Sequence, residues 1–237
     1  MSELIPFKDK FKNKKVVLFA PGPTLNYFSY ELYPNLKKYH KCTVNGGILH
    51  KKIKEELDIF IWAGDLDIPE HPTPSYNFIM DVIPTVKKNV LKFVNCWTNN
   101  SITGIPGMPQ TQISPEKAKK LGFVRYNQKY GNKGFDKDLS SINSGPSAYT
   151  VAFHALQILL YMGFNEIVLV GFDCGGIHSY KNYDEYKDDK CDWGQGLHHG
   201  LINEWKEMEK WISSEYTSVN VKVVNPVGLK GIFKLYS

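Results

Sequence analysis

Arg125 is the chain's only arginine, so the formal net charge of +5 is carried by lysine. Proteins that read nucleic acid lean on arginine, whose planar fork makes bidentate contacts with bases and phosphates. The lysines here are scattered, as on a solvated surface, so a nucleic-acid partner is not expected. A mild positive field still favours a small anionic substrate. No apolar run reaches the roughly 18 to 20 residues that a membrane span needs, and the opening "MSELIPFKDKFKNKK" has no apolar stretch of the kind a secretory leader carries. The expectation is a cytoplasmic protein with no transmembrane segment; peripheral membrane contact and assembly into a homo-oligomer stay open. The four cysteines, Cys42, Cys96, Cys174 and Cys191, include no CxxC pair, which argues for free thiols over a zinc site or a disulfide framework. Neither GxGxxG nor a Walker loop is present.

What is present is 237 residues, 42% of them hydrophobic, enough for one large α/β domain with its own core. "VVLFA" reads as a short buried strand, followed by the turn Pro21-Gly22-Pro23-Thr24 and a short helix within "SYELYPNLKKY". "KCTVNGG" reads as a second strand, "ILHKKIKEEL" as a helix and "DIFIWAGDLD" as a third strand. "IPEHPTPSYNFIM" is proline-rich and reads as loop, and "NVLKFVNCW" as a strand. Residues 98–140 form a loop-rich excursion with a short helix at "SPEKAKKLG". "SGPSAYTVAFHALQILLYMGF" is predicted as a long apolar helix closed by Gly163, and "NEIVLVGFDC" as a buried strand. Residues 174–197 form a polar, aromatic loop that reads as a lid. "LINEWKEMEKWISSEY" is an amphipathic helix and "NVKVVNP" a closing strand. Strands alternating with helices predict parallel βαβ units in a single domain over 1–237.

In open parallel sheets, ligands bind outside the carboxyl ends of the strands. Five strand ends therefore become candidates on one edge: Pro21 to Thr24, Asn45-Gly46-Gly47, Gly64 to Asp67, Gly171-Phe172-Asp173 and Asn225-Pro226. Gly22 lets a backbone approach a ligand closely, although a plain strand–helix turn explains it as well. Asn143 or Ser144, in "INSGPSA", can cap the long helix, and free amides at a helix start attract anions. Asp65 and Asp67 in "GDLD" are oxygen ligands suited to Mg²⁺ beside a diphosphate, or a solvated turn. His198 and His199 stand between the lid and a helix, where a neutral imidazole can take a proton from a hydroxyl. Tyr180, Tyr183, Tyr186 and Trp193 lie in the lid, and a tyrosine hydroxyl can donate to a leaving phosphate. His154, inside the apolar helix, reads as structural, and His178 is undecided.

Three segments taken together resemble the bacterial sialyltransferases of glycosyltransferase family 42. "FAPGPTL" resembles their Gly-Pro-Ser-Leu turn. "INSGPSAYTVAFHALQILLYMGFNEIVLVGFDC" looks like their Ser-Gly start, long helix and strand ending Gly-x-Asp. "HHGLINEWKEMEKW" with "VKVVNP" resembles their histidine, helix and final strand. The resemblance covers about half of the chain. It implies a Rossmann-like, GT-A-type α/β domain, a mostly parallel sheet flanked by helices with a lid, that takes a CMP-sugar donor and a glycan acceptor and requires no metal cofactor. It also implies an inverting transfer with His199 as base, His198 as its fallback and Tyr180 assisting phosphate departure. Gly22, Thr24, Asn45, Asn143, Ser144, Gly145 and Asp173 would form the donor site. Pro21 stands where the family has asparagine, Gly175 where it has a lid tyrosine, and Ser140-Ser141 where it has an arginine before "INSG".

The Maf-type flagellin glycosyltransferases and the archaeal pterin diphosphokinases share the same turn and helix–strand unit. In the diphosphokinases, which bind a magnesium-nucleotide, an Asp-Leu-Asp sits where "GDLD" sits here. This makes an ATP- and Mg²⁺-dependent diphosphokinase acting on a small hydroxymethyl substrate the alternative. A nucleotide-binding protein without turnover is a third reading.

Overall fold

The computed structural model describes residues 2–64, 75–95, 113–126, 134–140, 150–175, 179 and 199–237. Its strands are β1 (Lys15–Phe19), β2 (His40–Val44), β3 (Ile59–Trp62), β4 (Leu91–Asn95), β5 (Val124–Tyr126), β6 (Glu166–Val170), β7 (Asn220–Val224) and β8 (Lys234–Leu235). They form one sheet in the order β5-β4-β3-β2-β1-β6-β7-β8. Every pairing is parallel. The helices are α1 (Lys51–Glu56), α2 (Ser75–Val82), α3 (Pro115–Lys120), α4 (Val151–Tyr161) and α5 (His199–Glu215). The α/β class with a parallel, helix-flanked sheet is as the sequence predicts.

Side chains alternate across a strand, so one apolar run fills two cores. Val16 and Leu18 of β1 join Cys42, Ile59, Ile61, Ile167 and Leu169 in a layer under α4 and α5. Val17 and Phe19 face the other way, with Phe60, Trp62, Val168 and Val170, beneath the Ile53 side of α1, Ile79 of α2 and Ala118 of α3. Every residue of α4 is buried. Trp205 of α5 seals one flank of it, its ring 4.7 Å from that of Phe153. Full burial of each large apolar side chain contributes about 1.5 to 3 kcal/mol, which is why β1, β3 and β6 read as near-continuous apolar runs.

Two polar groups are drawn into this layer and paired there. Gln157 donates to the Phe153 carbonyl at 2.9 Å and accepts from the Asp136 amide at 2.9 Å, tying residues 134–139 to α4. The Tyr126 hydroxyl contacts the Trp62 carbonyl at 3.2 Å and His154 Nδ1 at 3.3 Å. A carbonyl can only accept, so the single hydroxyl proton goes to Trp62 and His154 Nδ1–H donates to the tyrosine oxygen. His154 is thus a core histidine, the structural role its apolar helix suggests.

Three local expectations change. The long helix begins at Val151, not at the "INSG" segment, because the Thr150 hydroxyl accepts from the Ala152 amide at 3.2 Å and caps it. Asn143 and Ser144, the cap candidates in the sequence, lie outside the described residues. The proline-rich stretch read as loop contains α2 from Ser75 onward. The excursion at 98–140 contributes the edge strand β5, while α3 falls within "SPEKAKKLG", where a short helix is expected. Gly163, at φ +89°, ends α4 as predicted. The N-terminal segment, for which the sequence offers no regular element, closes over that end: the Asp9, Phe11 and Asn13 amides donate to the carbonyls of Tyr161, Met162 and Gly163 at 2.7–3.1 Å.

Candidate functional site

The strand order reverses between β1 and β6: the chain builds β1 to β5 in one direction, then returns to the other side of β1 with β6. Connections leave the two strands toward opposite sides at this point, opening a crevice beyond their carboxyl ends. The residues found there are Ala20 to Thr24 after β1 and Gly171 to Cys174 after β6. The remaining parallel strands bring Asn45, Gly64 and Asn225 to the same edge.

The two turns at the crevice are locked together. The Gly22 amide donates to the Gly171 carbonyl at 3.0 Å, continuing the β1–β6 ladder past both strands. Asp173 then accepts twice from one residue, from the Thr24 amide at 2.8 Å and from the Thr24 hydroxyl at 2.6 Å. Pro23 opens a 3-10 turn over Pro23–Tyr27, which directs the Thr24 amide outward from the β1 axis toward β6. Glycine is required on both sides. A Cβ on Gly22 would overlap the Gly171 carbonyl and the Asp173 carboxylate, and one on Gly171, at φ +78°, would overlap the Ala20 carbonyl. Gly228, from the segment after β7, also packs closely on Asp173 and Cys174, where a Cβ would overlap the Cys174 side chain and the Asp173 carbonyl.

Burial pushes the Asp173 carboxyl up, and the two bonds from Thr24 pull it part of the way back. With both oxygens engaged, Asp173 acts as a positioning residue that fixes the β1 turn against β6. Cys174, at φ +57°, is buried, and its thiol is pushed up to about 12 by burial and by the Asp173 charge. It is a packed thiol, not a nucleophile poised for reaction.

Asn45 follows β2 at φ +42°, and its side-chain oxygen accepts from the Ala63 amide at 3.0 Å, bridging the ends of β2 and β3. Beside it, the Thr43 hydroxyl donates to the Phe19 carbonyl at 3.1 Å. His50, which the sequence reading passed over, is buried at the close of the same turn. Burial and the neighbouring Lys52 hold its imidazole down to about 4, so it is neutral at physiological pH. His199 is the first residue of α5 and is exposed.

The fold has a solved counterpart. The chain is similar to the sialyltransferase CstII from Campylobacter jejuni, determined in complex with the substrate analogue CMP-3FNeuAc, with a TM-score of 0.54 and 11% identity over 94% of this chain and 86% of that one. At this identity the likeness is one of fold. No family model matches the chain, and no curated protein matches its sequence.

Of the residues singled out in the sequence, the structure brings Gly22, Thr24 and Asp173 into one contact set, with Asn45 farther along the same sheet edge beyond β2. Asn143, Ser144, Gly145, Tyr180, His198, Asp65 and Asp67 lie outside the described residues, as does the aromatic portion of the lid. Among the described residues no three His, Cys, Asp or Glu side chains gather as a metal set, and no helix is long and apolar enough to cross a membrane. The sequence reading also passed over Ser179. It is buried, and its amide donates to the Pro21 carbonyl at 2.7 Å. Its place in a polar loop gave no periodic signal, and only the fold brings it to the β1 turn.

Proposed function

We propose that the chain is a glycosyltransferase of the sialyltransferase type, which holds a CMP-sugar in the crevice between β1 and β6 and moves the sugar to an acceptor glycan hydroxyl. The observation that carries this reading is the reversal of strand order at β1/β6, where the Pro21–Thr24 and Gly171–Asp173 turns meet through the Thr24–Asp173 bonds. The likeness in fold to a sialyltransferase solved with CMP-3FNeuAc supports it, as does the net charge of +5, whose mild positive field favours an anionic donor.

In this reading Gly22 and Thr24 form the floor of the donor site, and Asp173 keeps that floor in register with β6. Asn45, Asn143, Ser144 and Gly145 complete the donor contacts. His199 takes the proton from the acceptor hydroxyl. The acceptor oxygen forms its bond to the anomeric carbon as the bond from that carbon to phosphate oxygen breaks, and the electron pair departs on the phosphate. Tyr180 donates to that phosphate, stabilising charge as it develops. His198 takes over the base role if His199 is not the group that reaches the acceptor. No resident metal takes part.

The test combines binding with turnover. Thermal-shift titrations with CMP, UDP, GDP and ATP, each with and without Mg²⁺, are expected to show a CMP shift that Mg²⁺ does not change. His199→Ala is expected to lower transfer at least 100-fold while changing CMP affinity less than threefold. Full turnover in that variant removes His199 from the base role. A shift seen with ATP alone and only with Mg²⁺ replaces the transferase with the diphosphokinase, using Asp65 and Asp67. Saturable nucleotide binding without turnover on any acceptor leaves a binding protein.

A further inference from the structure

The β1 turn has the shape of an anion cradle, but its donors are spent within the fold. Pro21 and Pro23 have no N–H. The Gly22 amide donates to Gly171, and the Leu25 amide to the Gly22 carbonyl at 3.1 Å. The amide and hydroxyl of Thr24 both donate to Asp173. From position 21 to 25 no N–H or O–H is left for a phosphate, so the turn contributes close approach and shape, and the hydrogen-bond donors for an anion must come from elsewhere.

Ser179 is a described residue beside this turn that has a hydroxyl to give. Its amide bonds to the Pro21 carbonyl at 2.7 Å, fixing it against the turn. The residue is 1% exposed. Its hydroxyl is buried and has no hydrogen-bond partner among the described residues. A buried hydroxyl without a partner costs about 1 to 3 kcal/mol, and native folds satisfy nearly all such groups unless something else fills the role. A ligand is one such partner. We infer that the Ser179 hydroxyl is a donor-binding group of the crevice: it donates to a phosphate oxygen of the bound nucleotide, supplying the polar contact that Pro21, with neither N–H nor polar side chain, does not make. The inference rests on the nucleotide site proposed above.

A merely structural serine and a ligand-binding serine predict opposite effects on the empty protein. Removing an unpartnered buried hydroxyl relieves a cost, so Ser179→Ala without ligand is expected to melt at the wild-type temperature or above it. CMP affinity, measured by calorimetric titration on the full chain, is expected to fall fivefold or more. A loss of less than fivefold, in a wild-type protein that does bind CMP, overturns the role of Ser179 and leaves the site itself standing. A lower melting temperature for the ligand-free variant overturns it too, because the hydroxyl then serves the fold. Failure of the wild type to bind CMP, UDP, GDP or ATP removes the nucleotide site, and the inference falls with it.

Discussion

Replacing Thr24 with valine removes one hydroxyl and nearly nothing else, since the two side chains share a shape. The hydroxyl lost donates at 2.6 Å to Asp173, a carboxylate that is only 4% exposed, whereas the Thr24 amide bond at 2.8 Å survives the change. Hydrogen bonds to charged groups contribute about 1.5 to 3 kcal/mol, so a loss of about 2 kcal/mol is expected, or about 6 °C in Tm for a domain of this size. The loss has a pH signature. The folded pKa of Asp173 is raised, first by burial, so the folded state holds this proton more tightly than the unfolded chain, whose carboxyl titrates near 3.9. Stability therefore falls as pH rises from the unfolded value through the folded one, and the cost is fully present above both. Valine withdraws a donor from the ionised carboxylate and raises the folded pKa further, so the gap between variant and wild type widens toward pH 8 and narrows toward pH 4. Urea unfolding followed by tryptophan fluorescence across that range measures it. A loss below about 0.5 kcal/mol at pH 8, or one of equal size at pH 4 and pH 8, would refute the account of Thr24 and Asp173 as a buried, charge-assisted lock. A cycle with Asp173→Asn adds a check: the two changes share one contact, so the double variant should lose less than their sum.

Thr150→Ala removes the cap of α4 and should cost about 1 kcal/mol, read as a lower urea midpoint with an unchanged slope; no shift in midpoint would mean that the helix start is held by packing alone. His50 is neutral in the fold, held near 4 by burial, while the unfolded imidazole protonates near 6.5. Stability from this group is therefore complete above about pH 6.5 and declines as pH falls from there toward 4. His50→Leu should flatten that part of the stability profile, and an unaltered profile would place the acid sensitivity elsewhere.

The elements that can be read from sequence are those whose burial leaves a linear trace. β1, β3 and β6 are buried on both faces, so they appear as apolar runs, and α4 and Gly163 appear as an apolar block with a stop. β5 and β8, with three and two residues, are too short to show periodicity. α2 was hidden behind prolines that belong to the residues before it. The start of α4 was read too early because "INSGPSA" offers several cap-like residues, whereas the hydroxyl that closes the cap belongs to Thr150. At the candidate site, strand-end logic found Gly22, Thr24 and Asp173, but not that Thr24 spends its donors on Asp173. That contact joins positions 149 apart in the chain, and no local pattern encodes it. Ser179 was missed for the same reason, since what distinguishes it is its burial beside Pro21.

The position of β1 in the sheet also governs when the crevice can exist during synthesis. One neighbour of β1, β2, follows within a few tens of residues, and the half-sheet β1 to β5 can assemble as it is made. The other neighbour, β6, begins only at Glu166. Until that segment has left the ribosome, the side of β1 opposite β2 is an unpaired apolar edge, the kind of edge that invites wrong pairing. The floor turn at Gly22 has no Gly171 to dock on, and Thr24 has no carboxylate. Nascent chains stalled before residue 166 should therefore be sticky and unable to bind nucleotide, so the strand reversal that creates the crevice also delays its appearance until most of the chain has been made.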